Sequence, residues 1–144
     1  YNYAREPWKT QEKIRYVLDN LYGAGPDGYC GDEDNGQTSA WYVFSALGFY
    51  PVAPVTGQYV IGSPLFEKAE ISLSNGNILE IHSENNSPSN IYIKSINLNG
   101  SDYSKNWFPH TKLVEGAKIQ FKMQNTPSEW GADELSVPYS MSNN

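Results

Sequence analysis

The chain has 144 residues, with 10 Lys and Arg against 16 Asp and Glu, which gives a formal net charge of -6. This acidic balance argues against a nucleic-acid-binding face and against binding to an anionic membrane, since both need clustered positive charge. One cysteine and two histidines are too few for an ordinary zinc site. The longest apolar stretch, Ala40 to Val55, is interrupted by Ser45, Gly48 and prolines, so no membrane span is predicted.

Residues 1–50 predict two helices on either side of a glycine-rich loop. Thr10 is the expected N-cap of the first helix and Gly23 its stop. The first helix carries one apolar stripe at helical spacing: Ile14, Val17, Leu18 and Leu21. The second helix is expected from about Gly36 to Leu47, and its apolar residues cover more than one face: Ala40, Trp41, Val43, Phe44 and Leu47. A helix that is apolar nearly all round is normally buried inside something larger.

The following residues predict a β-rich region. Short runs rich in Ile, Val, Leu and Tyr indicate about six strands: Gln58 to Gly62, Ala69 to Ser74, Ile78 to Ser83, Ile91 to Leu98, Thr111 to Val114 and Lys118 to Met123. Turn signals lie between several of them: Asn75-Gly76, Asn99-Gly100 and Glu115-Gly116. The predicted fold class is therefore α+β, two helices followed by a mostly antiparallel β-sandwich. The polar tail after Trp130 is expected to fray.

The segment from Gly31 to Gln37 holds the residues with the clearest chemical potential. Asp32, Glu33 and Asp34 are three adjacent carboxylates between a loop and an apolar helix. Carboxylates held together repel one another, so such a cluster is costly unless a cation, a proton or a substrate compensates. In an extended segment Asp32 and Asp34 would point the same way, about 6–7 Å apart, and Glu33 would point away. A carboxylate in this place can act as a general base on water or hold a cation.

A simpler interpretation of the same segment is a solvated turn in which Asp34 or Asn35 caps the second helix. A calcium loop of the EF-hand type fits poorly, because the glycine comes one residue early and Val43 stands where that loop needs a glutamate.

The run from Gly25 to Val52, which contains the acidic cluster, resembles the signature of glycoside hydrolase family 92, a family of exo-acting alpha-mannosidases that are mostly bacterial and exported. Other segments fit the same family: Trp8 to Gln11, Tyr59 to Phe66, Asn85 to Ser87, Tyr92 to Gly100 and Pro127 to Gly131. The resemblance covers the chain from about Pro7 to Gly131. Thr38 stands where many relatives would have Met, which is a small departure.

The resemblance implies a place in a larger architecture. Enzymes of this family are several times longer and carry an N-terminal β-sandwich, an (alpha/alpha)6 barrel and a strand-rich end. The chain would then be the C-terminal portion, an interpretation that agrees with its start at Tyr1 rather than at a methionine. The expected organisation is residues 1–50 as the end of the barrel domain with the catalytic-base loop, residues 51–131 as a C-terminal β-sandwich, and residues 132–144 as a polar tail.

The resemblance also implies roles for two residues. The family inverts anomeric configuration and needs calcium. Asp34 would activate the attacking water and Asp32 would assist. The general acid, a glutamate, and the main calcium ligands would lie upstream, outside this chain. The implied partners are mannose-containing glycans and the upstream domains, and the implied location is extracytoplasmic in a bacterium.

Two functional hypotheses from different classes follow. In the first, the chain is part of a calcium-dependent inverting alpha-mannosidase and is inactive alone. In the second, it is a non-catalytic β-sandwich module that binds glycan or packs on a partner. Helices that lack their barrel neighbours would expose large apolar side chains. The isolated chain is therefore expected to self-associate through its helical half, and the alternative is that the helices hide these residues against the sandwich.

Overall fold

The computed structural model of the protein describes residues 1–143. Three α-helices lie in this part of the chain: α1 (Pro7–Asn20), α2 (Gln37–Leu47) and the short α3 (His110–Val114). The strands are β1 (Phe49–Ala53), β2 (Gln58–Ile61), β3 (Lys68–Ser72), β4 (Ile78–Glu84), β5 (Tyr92–Leu98), β6 (Ser101–Tyr103), β7 (Trp107–Pro109) and β8 (Ala117–Gln124). This arrangement confirms the predicted α+β class. The described helices do not close a barrel.

The strands form two sheets, with the orders β1-β2-β7 and β3-β4-β8-β5-β6. Neighbouring strands pair antiparallel, except that β4 and β8 run parallel. The sheets share one hydrophobic core, where the rings of Phe108 on β7 and Phe121 on β8 meet edge to face with centroids 6.5 Å apart. The predicted mostly antiparallel sandwich is therefore confirmed. The parallel pair was not predicted, because alternation along a strand does not reveal which strand lies beside it.

Strand β8 lies at the centre of the larger sheet, and its sequence suits that place. Its residues alternate strictly between the core and the solvent, with Ala117, Ile119, Phe121 and Met123 buried and Lys118, Gln120 and Lys122 exposed. Successive side chains of a strand point to opposite faces, so this pattern gives the sheet one apolar face and one polar face.

Two of the three predicted turns join antiparallel strands. Asn75-Gly76 lies between β3 and β4, and Asn99-Gly100 joins β5 to β6. Asn99 has a φ of 53° and Gly100 a φ of 86°, as the two central residues of a type I′ hairpin require. The third signal, Glu115-Gly116, ends α3 instead of turning a hairpin.

The predicted strand from Thr111 to Val114 is wrong, since these residues belong to α3. Leu113 is the buried residue of this short helix, and one buried side chain gives too weak a periodicity to distinguish helix from strand. The prediction also missed β1, β6 and β7, which have five, three and three residues. Pro51 and Pro109 lie in β1 and β7, and proline within a run argues against a strand.

Helix α1 differs from its prediction in both its start and its buried face. It begins at Pro7, a favourable first helical residue, so Thr10 lies inside the helix and is not its N-cap. The buried residues are Pro7, Gln11, Arg15 and Leu18. Of the predicted stripe, Leu18 is buried, Ile14 and Val17 are half-buried, and Leu21 is 43% exposed.

Hydrogen bonds to β5 and to the loops that follow β2 and β4 explain why polar residues occupy the buried face of α1. The Gln11 Oε1 atom accepts a bond of 2.9 Å from the backbone N–H of Ile93 on β5. The Arg15 Nη1 atom donates to the carbonyl of Pro64 and to Asn86 Oδ1, both at 2.9 Å. These contacts dock α1 through polar groups, so part of its apolar stripe remains uncovered.

Helix α2 is docked mainly by its C-terminal half. Phe44 and Leu47 pack against the shared core, and the backbone carbonyl of Ala46 accepts a 2.9 Å bond from Leu65 N–H. Near the start of the helix, Trp41 stacks on Tyr22 with ring centroids 5.7 Å apart. Val43 is 56% exposed. The structure therefore covers one side of this apolar helix and leaves another side open.

The tail beyond Trp130 is bound to the rest of the molecule. The backbone N–H of Asn106 donates to the carbonyl of Ser136 at 2.9 Å, and the N–H of Tyr139 donates to Gln58 Oε1 at 2.8 Å. Ser136 and Pro138 are buried. The expectation that this tail frays is therefore wrong for the residues up to Tyr139.

Candidate functional site

The acidic cluster lies in the loop that leads from α1 to α2. The loop turns just before the helix, because the N–H of Gly36 donates to the carbonyl of Glu33 at 3.1 Å. Gly36 is the N-cap residue of α2 and has a φ of 69°, a conformation that favours glycine. The segment is thus turned at residues 33–36, as in the simpler interpretation of a solvated turn, and the separation considered for an extended segment does not apply.

Glu33 is the carboxylate that caps the helix. Its Oε2 atom accepts a 2.8 Å bond from the backbone N–H of Ser39 in the first turn of α2, and its Oε1 atom accepts a short bond from the Ser39 hydroxyl. The hydroxyl bond holds the pKa of Glu33 below its usual value of 4.5. A negative charge here also suits the positive end of the helix dipole. The interpretation in which Asp34 or Asn35 provides the cap is therefore wrong.

Asp32 and Asp34 have a different environment from the residue between them. Both are exposed, and neither carboxylate has a hydrogen-bond or ion-pair partner among residues 1–143. The backbone of Asp32 is nevertheless fixed, because its carbonyl accepts a 2.9 Å bond from the Thr38 hydroxyl. The loop thus presents two carboxylates that remain available, on a main chain that is tied to α2.

An aromatic cluster adjoins this loop, and the sequence analysis did not identify it. The ring of Tyr22 contacts those of Tyr29, Trp41 and Tyr42 at centroid distances of 6.1, 5.7 and 5.0 Å. The Tyr22 hydroxyl donates to the carbonyl of Thr38 at 3.2 Å, and burial raises the pKa of this phenol. Tyrosines at both ends of a glycine-rich loop were the available signal in the sequence.

The glycine-rich loop closes on itself beside these rings. The N–H of Gly23 donates to the carbonyl of Gly28 at 2.9 Å, and a Cβ on Gly28 would lie 2.1 Å from the Gly23 oxygen. Glycine is thus required at position 28. The loop and the tyrosines line a cleft of about 340 Å³.

The resemblance implies calcium, an ion that binds through clustered oxygen ligands. Within residues 1–143, no three side chains of His, Cys, Asp or Glu come together in a group that could hold a metal ion. Since calcium takes about six to eight oxygen ligands, the acidic loop does not form such a site from its own residues.

Comparison with known proteins identifies the family. The sequence model described as "Glycosyl hydrolase family 92 catalytic domain" matches residues 1–125. The chain belongs to glycoside hydrolase family 92. The resemblance that the Gly25 to Val52 segment indicated is therefore confirmed.

Solved structures of family 92 superpose closely on the chain. The alpha-mannosidase BT3965 from Bacteroides thetaiotaomicron is 42% identical with a TM-score of 0.94, over 98% of this chain and 19% of that one. The same enzyme has been solved in complex with mannoimidazole. The inverting mannosidase BT2199 of the same organism is 45% identical with a TM-score of 0.92, over 99% of this chain and 19% of that one.

A curated relative is more distant. A protein of Arthroderma benhamiae, described as an uncharacterized secreted glycosidase, is 26% identical over 98% of this chain and 19% of its own length. The chain thus spans about a fifth of the length of the relatives it matches. No helix among residues 1–143 is long and apolar enough to cross a membrane.

Proposed function

We propose that this chain is the C-terminal part of an exo-acting, inverting alpha-mannosidase that releases mannose from glycans, and that it supplies the general-base loop. The longer protein is called the parent enzyme below. The observation that carries this proposal is the exposure of Asp32 and Asp34, two carboxylates without partners on a loop that Glu33 and Thr38 fix to α2. Family membership and the mannosidase neighbours support the choice of substrate.

In the proposed reaction Asp34 accepts a proton from a water molecule as that water attacks the anomeric carbon. Asp32 assists by orienting the same water. An inverting glycosidase also needs a carboxylic acid that protonates the leaving oxygen, about 6.5–9.5 Å from the base. We assign that acid to a glutamate upstream of this chain, and we therefore expect the isolated chain to be inactive.

The proposal includes calcium as a requirement of the parent enzyme. When bound, the ion would supply positive charge that stabilises oxygen atoms of the sugar. The described residues do not gather a ligand set for it, so we assign its main ligands to the upstream part. Chelation with EDTA is expected to abolish hydrolysis by the parent enzyme, and added calcium to restore it. Full activity after exhaustive chelation would contradict this requirement.

The first experiment tests the two aspartates in the parent enzyme. Asp34→Ala and Asp32→Ala are expected to abolish hydrolysis of an alpha-mannoside, because the attacking water loses its base. Both residues are exposed and unpartnered, so the circular dichroism and melting temperature should stay unchanged. The control is Asp102→Ala on the edge strand β6, which removes an exposed carboxylate far from the loop in sequence.

Two outcomes distinguish the hypotheses. If both variants keep most of their activity, the region is a supporting module and the proposed function is wrong. If they are inactive, proton NMR of the first sugar released tests the stereochemistry of the parent enzyme. The beta anomer is expected, and initial release of the alpha anomer would contradict inversion.

We also propose that the parent enzyme is bacterial and exported from the cytoplasm. The support is the description of one relative as secreted and the family resemblance. Fractionation of the source cells should find the parent enzyme in the periplasm, at the cell surface or in the medium. Recovery with cytoplasmic markers would contradict the proposal.

A further inference from the structure

Glu33 lies between the two proposed catalytic residues, yet its side chain is directed elsewhere. It is half-buried, whereas Asp32 and Asp34 are exposed. Both of its carboxylate oxygens accept hydrogen bonds from Ser39. The carboxylate of Glu33 is thus bound to α2, whereas the carboxylates of Asp32 and Asp34 are not.

The bonds of Glu33 connect the catalytic loop to a single turn of helix. Its side chain binds Ser39, and its carbonyl accepts the N–H of Gly36 at 3.1 Å. The Thr38 hydroxyl holds the carbonyl of Asp32 in addition. The main chain on either side of Glu33 is therefore determined by the first turn of α2.

Helix α2 is itself anchored in the core. Phe44 and Leu47 pack on the shared core, and the carbonyl of Ala46 binds the N–H of Leu65. A displacement of the loop relative to the sandwich would thus have to break the Glu33–Ser39 contacts or move the helix.

The bonds between Glu33 and Ser39 restrain a loop whose composition favours disorder of its main chain. Three adjacent carboxylates repel one another, and the flanking glycines, Gly31 and Gly36, give the main chain unusual freedom. A general base must be held within a fraction of an ångström of its productive position, and a displacement of about 1 Å can reduce the rate about a hundredfold.

We propose that Glu33 is a positioning residue of the parent enzyme, which places Asp32 and Asp34 through its bonds to Ser39 and takes no part in proton transfer itself. This inference rests on the proposed function of the two aspartates. In this inference, two of the three adjacent carboxylates act on the attacking water and the third binds the helix.

The experiment compares four variants and one control variant of the parent enzyme, all well below their melting temperatures. Glu33→Ala is expected to lower kcat about tenfold to a hundredfold, with little change in KM. Glu33→Gln still offers an oxygen to Ser39 and should retain kcat within about threefold. Ser39→Ala should fall between them, and the double variant Glu33→Ala with Ser39→Ala should be no slower than Glu33→Ala, since both substitutions break the same contact. Glu70→Ala, on the exposed face of β3, is the matched control.

The pH profile separates positioning from catalysis. If Glu33 only positions the two aspartates, Glu33→Gln keeps the acid limb of the kcat profile where the wild type has it. An inactive Glu33→Gln would mean that Glu33 is itself a proton-transfer group. An unchanged kcat in Glu33→Ala would mean that the bonds of Glu33 to Ser39 are unnecessary, and either result overturns the inference.

If Glu33→Ala does not fold, the comparison of Glu33→Gln with Ser39→Ala still tests the inference. Loss of activity in Glu33→Gln together with retained activity in Ser39→Ala would contradict positioning. Failure of the proposed function would instead be recognised by full activity in Asp34→Ala.

Discussion

The central strand of the sandwich and the two long helices bury their side chains in different ways. In β8 every buried position is apolar and every position that points outward is polar. In α1 the buried positions include Gln11 and Arg15, while Leu21 at its C-cap is 43% exposed, and in α2 Val43 is 56% exposed. Contiguous exposed apolar patches on a protein often mark a surface that contacts a partner. We therefore expect the strands to form the stable body of the chain and the exposed helix surface to contact a partner.

The strongest test of this contrast is a cavity in the sandwich. Phe121→Ala on β8 removes a fully buried ring that meets Phe108 across the core. We expect a loss of about 3–5 kcal/mol in the free energy of unfolding of the isolated chain, measured by urea titration. Lys122→Ala is the control, because Lys122 is the next residue of β8 and its side chain lies on the exposed face of the sheet. Equal losses in the two variants would show that the sandwich is not the stable body.

The next test concerns the hydrogen bonds that dock α1 on the rest of the chain. Arg15→Met keeps an unbranched side chain but removes the donor to Pro64 and Asn86. We expect a loss of about 1–3 kcal/mol, because buried acceptors lose a partner. Lys13→Met on the exposed side of the same helix is the control and should change little. A stable Arg15→Met would mean that α1 is docked by its apolar residues after all.

A third test addresses the uncovered helix surface. Val43→Ser should change the free energy of unfolding by less than about 0.5 kcal/mol, since the side chain is exposed. The same substitution should reduce self-association of the isolated chain, which is expected through its helical half and is measurable by light scattering at micromolar concentration. A monomeric wild-type chain under these conditions would contradict the expectation of self-association.

These contrasts also explain what the sequence could predict. The strands with period-two alternation and the Asn-Gly turns were found, because those signals are local. The buried face of α1 was missed, because Gln11 and Arg15 are satisfied by Ile93, Pro64 and Asn86, which are remote in sequence. The spacing of apolar residues along a helix does not show that a polar residue will be buried and hydrogen-bonded by residues distant in sequence.

The acidic loop shows the same limit. The cluster could be found from its composition, and the family resemblance singled out Asp32 and Asp34, whose roles remain a prediction. The capping role of Glu33 was missed because it reaches forward six residues to Ser39, past the glycine that occupies the N-cap position. Ordinary capping patterns place the side chain at that position itself.

The smallest predicted effect is a pH dependence that belongs to this cap. The pKa of Glu33 is lowered in the folded chain by its bond to the Ser39 hydroxyl. A group with a lowered folded pKa contributes stability above its unfolded pKa, near 4.5, and loses that contribution as the pH falls through the folded pKa. As the pH falls below about 4.5, the wild type should therefore lose slightly more stability than Glu33→Gln. Identical pH profiles in thermal melts would show that the bond does not contribute.

The parallel pairing of β4 with β8 has a consequence for the order in which the chain can fold during synthesis. Strand β8 lies between β4 and β5, which do not pair with each other. A nascent chain that ends before Ala117 can form the β3–β4 and β5–β6 hairpins, but they have no common sheet. The two hairpins join only when residues 117–124 leave the ribosome and insert between them. Until then β5, which contacts Gln11 of α1, is paired with β6 on one side only, so the helix that precedes the acidic loop docks on a completed sheet only after β8 has been made.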